Sequence, residues 1–165
     1  MPLKKIIQIL LCCCIFSSLS TFSLPTDMQQ TLHIIADSAS MDYKTGLTTY
    51  EGNVKINQGT SRLTADRVIT QRNKQHQIEE ASAYGIQHPA EYTTIPKEGD
   101  KLLWARAMII RFYPLKSTVV LENKVTIIQG ENNFKGPIII YNAKNQTVNA
   151  PPSKDGQATL IIKPN

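Results

Sequence analysis

His33, His76 and His88 are the three histidines of the chain, and they are where a search for chemistry begins. Zinc or another transition metal needs imidazoles, thiolates or carboxylates at ligand spacing, commonly two on one turn of a helix or strand. No two of the three stand four apart and no cysteine is near them; Asp37 and Glu80 follow His33 and His76 at i+4, but in extended segments that spacing does not bring two side chains onto one metal, so each reads as a surface or strand histidine and no metal site is expected. Asp37, Asp42 and Asp66 could in principle work as acid and base, but each stands where a strand is entered, left or solvated, and they read as turn carboxylates. There is no G-x-S-x-G elbow, no phosphate-binding P-loop and no G-x-G-x-x-G turn. The residues therefore describe a protein that is not an enzyme and that carries no cofactor.

The elements that hold these residues begin with a leader. Lys4 and Lys5 precede an apolar run from Ile6 to Phe16, and a small polar exit, Ser17 to Ser23, offers cleavage after Ser20 or Ser23. A spanning helix needs roughly 20 apolar residues, so residues 1–23 read as a cleaved secretory signal. Cys12, Cys13 and Cys14 all lie in that run, so the exported chain enters an oxidising compartment without disulfides. It must be held by its own core, which residues 24–165 are long enough to form as one domain. Without Lys4 and Lys5 the net charge falls from +5 to +3. The signs are interspersed and no basic run is interleaved with aromatics, which argues against a nucleic-acid partner.

Apolar residues recur with period two. Leu32, Ile34 and Ala36 alternate with His33 and Ile35; Val54, Ile56 and Gln58 with Lys55 and Asn57; Leu63 and Ala65 with Arg62, Thr64 and Asp66. Turn residues punctuate these runs at Lys44-Thr45-Gly46, Gln58-Gly59, Arg72-Asn73, Gln129-Gly130 and Lys154-Asp155-Gly156. The best helix candidate, Glu79 to Tyr84, is too short and ends on Gly85. The pattern predicts an all-β domain, a sandwich, jelly roll or barrel of roughly a dozen or more short strands. Val54-Lys55-Ile56-Asn57-Gln58-Gly59 returns as Val125-Thr126-Ile127-Ile128-Gln129-Gly130, which marks an internal repeat over about 47–75 and 118–146 and predicts a domain built from two similar halves. Residues 86–101, with Pro89 and Pro96, read as a connector. The chain opens and closes on strands, Leu32 to Ala36 and Ala158 to Ile162, that suit sheet edges.

Ile138-Ile139-Ile140-Tyr141, Met108-Ile109-Ile110 and Val119-Val120-Leu121 place bulky residues on both faces of their strands. A closed two-sheet core would use them, and so would two sheets that splay apart around an apolar groove. Burial of a methylene contributes roughly 0.8 kcal/mol, so one ~12-carbon acyl chain could gain on the order of 10 kcal/mol of gross transfer energy.

Four phrases, Leu32-His33-Ile34-Ile35-Ala36-Asp37, Tyr50-Glu51-Gly52-Asn53-Val54-Lys55-Ile56-Asn57-Gln58-Gly59, Leu63-Thr64-Ala65-Asp66-Arg67-Val68 and Val119-Val120-Leu121-Glu122-Asn123-Lys124-Val125, resemble the OstA-like family of periplasmic lipopolysaccharide-transport proteins. The resemblance runs from about Gln30 to Ile162. It implies a β-jelly-roll of stacked antiparallel strands with an interior that holds the acyl chains of lipid A in lipopolysaccharide. It also implies head-to-tail self-association into a bridge between an LptC-like inner-membrane subunit and an LptD-like outer-membrane one. The lipid-facing positions it implies are Leu32, Ile34, Tyr92 and Leu115, and strand alternation adds Val54, Ile56, Leu63, Ala65, Val125, Ile127, Phe134, Ile138 and Ile140. The edge strands that would meet between subunits are Leu32, His33, Ile34, Ile35 and Ala36 at one end and Ala158, Thr159, Leu160, Ile161 and Ile162 at the other. Glu122-Asn123-Lys124 and Gly136-Pro137 depart from the family's turn patterns. Other readings of the same residues are an LptC-like subunit that keeps its N-terminal anchor and a secreted β-sandwich that binds protein by its edges.

Overall fold

A computed structural model describes residues 26–142, 144–145 and 147–162; the leader and its cysteines lie outside them. The alternating segments form twelve strands: β1 (His33–Ile35), β2 (Ser38–Asp42), β3 (Leu47–Gln58), β4 (Ser61–Arg72), β5 (Ile78–Tyr84), β6 (Ala90–Thr94), β7 (Leu103–Ala107), β8 (Ile109–Tyr113), β9 (Thr118–Gln129), β10 (Asn132–Asn142), β11 (Thr147–Asn149) and β12 (Thr159–Ile161). Short 3-10 turns occupy Thr26–Gln29 and Pro114–Lys116. Glu79 to Tyr84 lies in β5, and the segment read as a connector contains β6, whose Ala90 is fully buried.

Every ladder is antiparallel and joins consecutive passes of the chain, so the roll is wound as a meander. β3, β4, β9 and β10 are long and bend midway; the remaining passes are broken at the same level into β1 and β2, β5 and β6, β7 and β8, β11 and β12. The sheet is thus creased into two leaves. Leaf I holds β1, β6, β7, β12 and the halves of the long strands that pair with them; leaf II holds β2, β5, β8, β11 and the other halves. The sequence repeat corresponds to the two long hairpins, β3–β4 and β9–β10, and each hairpin contributes to both leaves.

The crease has a backbone cause. On β3 the chain turns through two left-handed residues, Gly52 (φ 76°) and Asn53 (φ 47°), and on β9 through Asn123 (φ 64°) and Lys124 (φ 56°). The Glu122-Asn123-Lys124 variation therefore keeps the same corner. Glycine enters that conformation at no steric cost, and a Cβ at Gly52 would lie 2.2 Å from a carboxylate oxygen of Asp37. Lys124 has no such freedom, since an L-residue in the left-handed region costs roughly 1–2 kcal/mol. Lys124→Gly should therefore stabilise the domain by about 0.5–1 kcal/mol, after subtracting the entropy glycine loses on folding. The denaturant midpoint should rise with an unchanged slope.

Because β3 and β9 spend two residues on the corner, their alternation continues through it: Thr48, Tyr50, Val54 and Ile56 share the inner face. On β4 and β10 the alternation slips by one. Leu63 and Ala65 face inward and so does Val68; Phe134 and Gly136 face inward and so does Ile139. Ile139 is 2% exposed and packs with Leu121, Ile110 and Val68 of leaf II against Val54, Ala107 and Val125 of leaf I.

Candidate functional site

The register aligns one residue from every pass into a row across the inner face of leaf I. Ile34 pairs with Ile56, Ile56 with Leu63, Leu63 with Tyr92, Tyr92 with Ala105, Ala105 with Ile127, Ile127 with Phe134, and Phe134 with Leu160. Residues on one face at paired positions touch across neighbouring strands, so this is a continuous apolar track from one end of the sheet to the other. Seven strand spacings make it about 34 Å long.

The rows beside it differ in size. Nearer the crease, extending the same register gives Ala36, Val54, Ala65, Ala90, Ala107, Val125, Gly136 and Ala158, residues small enough to let the leaves close on each other. Val54, Ala90, Ala107 and Val125 are buried there, whereas Ile56, Leu63, Tyr92, Ile127 and Phe134 are only half-buried. The facing row of leaf II, Met41, Thr48, Thr70, Ala81, Phe112, Val119, Tyr141 and Val148, is also mostly part-exposed. Small residues at the crease and large, incompletely covered ones beyond it define a groove that widens toward the lips. No Asp, Glu, Lys or Arg stands in these three rows. The ion pairs of the strands stand on the outer face instead: the Arg67–Glu51 pair (2.8 Å) and the Arg111 contacts with Glu80 and Glu122 on the back of leaf II.

Ile34, Ile56, Leu63, Tyr92, Ile127 and Phe134 are thus brought into one row by the fold, and Val54, Ala65 and Val125 into the row beside the crease. Leu32 precedes β1, shares the parity of Ile34 and is 47% exposed at the lip. Two residues are placed elsewhere than alternation implied, and Leu115, implied by the resemblance, lies outside the strand rows. Ile138 and Ile140 pair with Glu122 and Val120 on the outer face of leaf II, because the irregularity between Gly136 and Ile138 shifts the alternation by one residue. Leu115 lies in the Pro114–Lys116 turn and is 55% exposed at the lip of leaf II, outside any strand row. Ala105, not singled out in the sequence, and Leu160, named there only for the joining edge, complete the track, which register alone shows. On the back of leaf II, away from the groove, Leu47, Ile69, Gln71, Glu80, Ser82 and Tyr84 line an open cup of about 260 Å³.

Asp37, Asp42 and Asp66 are separate fastenings and never meet. Asp37 accepts from the side-chain amide of Asn53 (2.8 Å), Asp42 from the backbone N–H groups of Lys44 and Thr45, and Asp66 from those of Ile86 and Gln87. The Gln87 and Ile86 bonds hold the Asp66 carboxyl below its ordinary value. A fourth carboxylate went unread in the sequence. Asp27, in the turn Thr26–Gln29, is buried against the β3–β4 turn and accepts from Thr60 N–H (2.8 Å), Thr60 Oγ1 (2.7 Å) and Ser61 Oγ (2.7 Å). With its one proton given to Asp27, Ser61 Oγ can accept from the Thr94 hydroxyl at 2.9 Å and from the Tyr92 hydroxyl at 3.0 Å. This polar net ties the segment before β1 to the lip of leaf I.

Burial opposes ionisation of Asp27, but the bonds from Thr60 and Ser61 outweigh it and hold its pKa below the ordinary 3.8. A depressed carboxyl stabilises the folded state above its unfolded pKa and loses that contribution as pH falls through the folded value. The bonds that dock the Thr26–Gln29 turn should therefore keep their full contribution from neutral pH down to the ordinary 3.8 and lose it as pH falls through the lower folded value. An NMR titration of the Thr60 amide should show that acid transition in the wild type and none in Asp27→Asn.

Comparison with known proteins agrees with this architecture. Residues 33–147 match the family described as LptA/(LptD N-terminal domain) LPS transport protein. The lipopolysaccharide export system protein LptH of Pseudomonas aeruginosa is 32% identical over 149 residues, covering 86% of this chain and 84% of its own. The lipopolysaccharide export system protein LptA of Escherichia coli K12 is 30% identical over 149 residues, covering 90% of this chain and 79% of its own. The crystal structure of the Pseudomonas aeruginosa LptH, described as the LptA homologous periplasmic component of the lipopolysaccharide transport device, superposes with a TM-score of 0.74 at 29% identity, covering 85% of this chain and 100% of that one. With one family matched across both long hairpins and relatives aligned over most of either chain, the protein belongs to the LptA/LptD N-terminal-domain family of lipopolysaccharide transport proteins.

Proposed function

We propose that the chain is a periplasmic lipopolysaccharide carrier, a non-enzymatic segment of a bridge that shields lipid A acyl chains between its leaves and passes the lipid from the inner toward the outer membrane. The observation that carries this reading is the charge-free track from Ile34 to Leu160, which crosses all eight passes and reaches both edges of the sheet. An acyl chain lying along it would lose contact with water at roughly 0.8 kcal/mol per methylene. The repetition of similar apolar residues at each strand spacing keeps successive positions near-equal in affinity, so the lipid can move. Direction would then come from an energy source outside the chain.

The exposed apolar residues of the two ends support head-to-tail self-association: Leu32, Ile35 and Met41 at one, Val148, Leu160, Ile161 and Ile162 at the other. Unpaired edges of this kind are templates for strand addition. The same edges would receive an LptC-like subunit at the inner membrane and an LptD-like subunit at the outer. The exported chain should bind lipopolysaccharide and should fail to bind the same molecule once its acyl chains are removed. Equal binding of the deacylated form, measured by calorimetry, would place the recognition outside the groove and remove the carrier reading.

A further inference from the structure

The two lips of the groove carry opposite charge. Along leaf II the chain reverses four times, at residues 43–46, 73–77, 114–117 and 144–145, and each reversal carries one lysine and no carboxylate: Lys44, Lys74, Lys116 and Lys144. The reversals of leaf I, at 59–60, 95–102 and 130–131, carry Lys97 and Lys101 against Glu98, Asp100 and Glu131. Charged strand ends do not undo the contrast. Asp42, Arg72 and Glu79 adjoin the leaf II turns and leave that lip at +3; Arg62 and the docked Asp27 add one charge of each sign to leaf I, which stays at −1 among the described residues.

The four lysines are exposed, and among the described residues none is in an ion pair. Lys116 lies over the Tyr113 ring at 5.5 Å, which leaves its ammonium at the lip. Successive reversals on one lip are two strands apart, so the lysines recur at about 9.6 Å, parallel to the apolar track. A lysine is a flexible point charge that binds phosphate without the fixed fork of arginine, and it therefore suits a ligand that must be handed on.

We propose that the leaf II lip is a phosphate rail: Lys44, Lys74, Lys116 and Lys144 successively hold the phosphate groups of the lipid headgroup while its acyl chains occupy the groove. The proposal rests on the carrier reading and deepens it by assigning the headgroup to one lip. Leaf I, with its carboxylates, repels the same phosphates and so fixes which way round the lipid sits.

The test uses the exported chain and a variant with Lys44→Gln, Lys74→Gln, Lys116→Gln and Lys144→Gln, all at exposed turns, checked for an unchanged melting temperature. Binding is measured for lipopolysaccharide and for the same preparation with its lipid A phosphates removed enzymatically, at low and high salt. The wild type should prefer the phosphorylated form at least tenfold, and salt should erode that preference. The variant should bind both forms as the wild type binds the dephosphorylated one. A second variant, Lys97→Gln with Lys101→Gln on the other lip, should keep the preference. Retention of the preference in the four-lysine variant, or equal loss in the leaf I variant, would overturn the rail while leaving the carrier intact. Absence of binding to either lipid by the wild type would instead sink the carrier reading, and the rail with it.

Discussion

Ile34→Asp is expected to weaken lipopolysaccharide binding on the order of a hundredfold without unfolding the domain. Ile34 opens the apolar track, but it sits on the edge strand β1, outside the buried cluster of Val54, Val68, Ile110, Leu121, Val125 and Ile139 that holds the leaves together. Losing its contact with an acyl chain forfeits about 1.5–3 kcal/mol. Holding a carboxylate against hydrocarbon adds a desolvation penalty that can reach several kcal/mol. Each ~1.4 kcal/mol is tenfold in affinity, so two orders of magnitude is a modest expectation. The decisive control is the neighbouring residue. Ile35 is 62% exposed and faces the outside of leaf I, so Ile35→Asp should leave the affinity within about threefold. Wild-type affinity in Ile34→Asp would remove the track from the binding site, and equal loss in both variants would mean that the strand, not its inner face, matters.

That contrast between adjacent residues also marks where the sequence is readable. Within a straight strand, alternation reports the face, so Val54, Ile56, Leu63 and Phe134 could be assigned to the inside before any coordinates. At the crease alternation fails in two different ways. Two left-handed residues carry β3 and β9 through with their parity intact, whereas the corners near Asp66 and Pro137 advance β4 and β10 by one residue. No local pattern distinguishes the two, and so Ile139 is buried where Ile138 and Ile140 were expected.

The other gaps are non-local. Ala105 is an unremarkable alanine until its pairing with Tyr92 and Ile127 puts it in the track. Asp27 finds Thr60 and Ser61 only because the chain returns there after more than thirty residues. The lysines of the leaf II lip are isolated in sequence, and only the meander brings alternate turns to one side. Pro89 and Pro96 argued for a connector, yet they bracket a short strand, because proline is excluded from the ladder itself and not from its flanks.

Continuation of the rows predicts the register of the joint between subunits. If the track is to run on unbroken, Leu160 of one copy stands opposite Ile34 of the next, Ala158 opposite Ala36, Val148 opposite Met41 and Ala150 opposite Ala39. Large residues then meet large ones where the track crosses the joint, and small ones meet small ones at the crease. Opposed side chains in an antiparallel pair have Cβ atoms about 4.5–5.5 Å apart, close enough for a disulfide after a small adjustment.

Cys12, Cys13 and Cys14 are the three cysteines of the sequence, and a chain prepared from Leu24 onward carries none, so engineered thiols report the joint without competition. A chain carrying Ile34→Cys and Leu160→Cys should form ladders of disulfide-linked multimers on mild oxidation. One carrying Ile35→Cys and Leu160→Cys should not, because those side chains point to opposite faces of the sheet. Truncation at Ala158 is the weaker experiment, because removing β12 uncovers Asn133 to Lys135 of β10 as a new edge. Ladders from the Ile35→Cys pair and none from the Ile34→Cys pair would shift the register by one residue. The track would then end at every joint, and a lipid crossing between copies would have to pass through the outer, charged face.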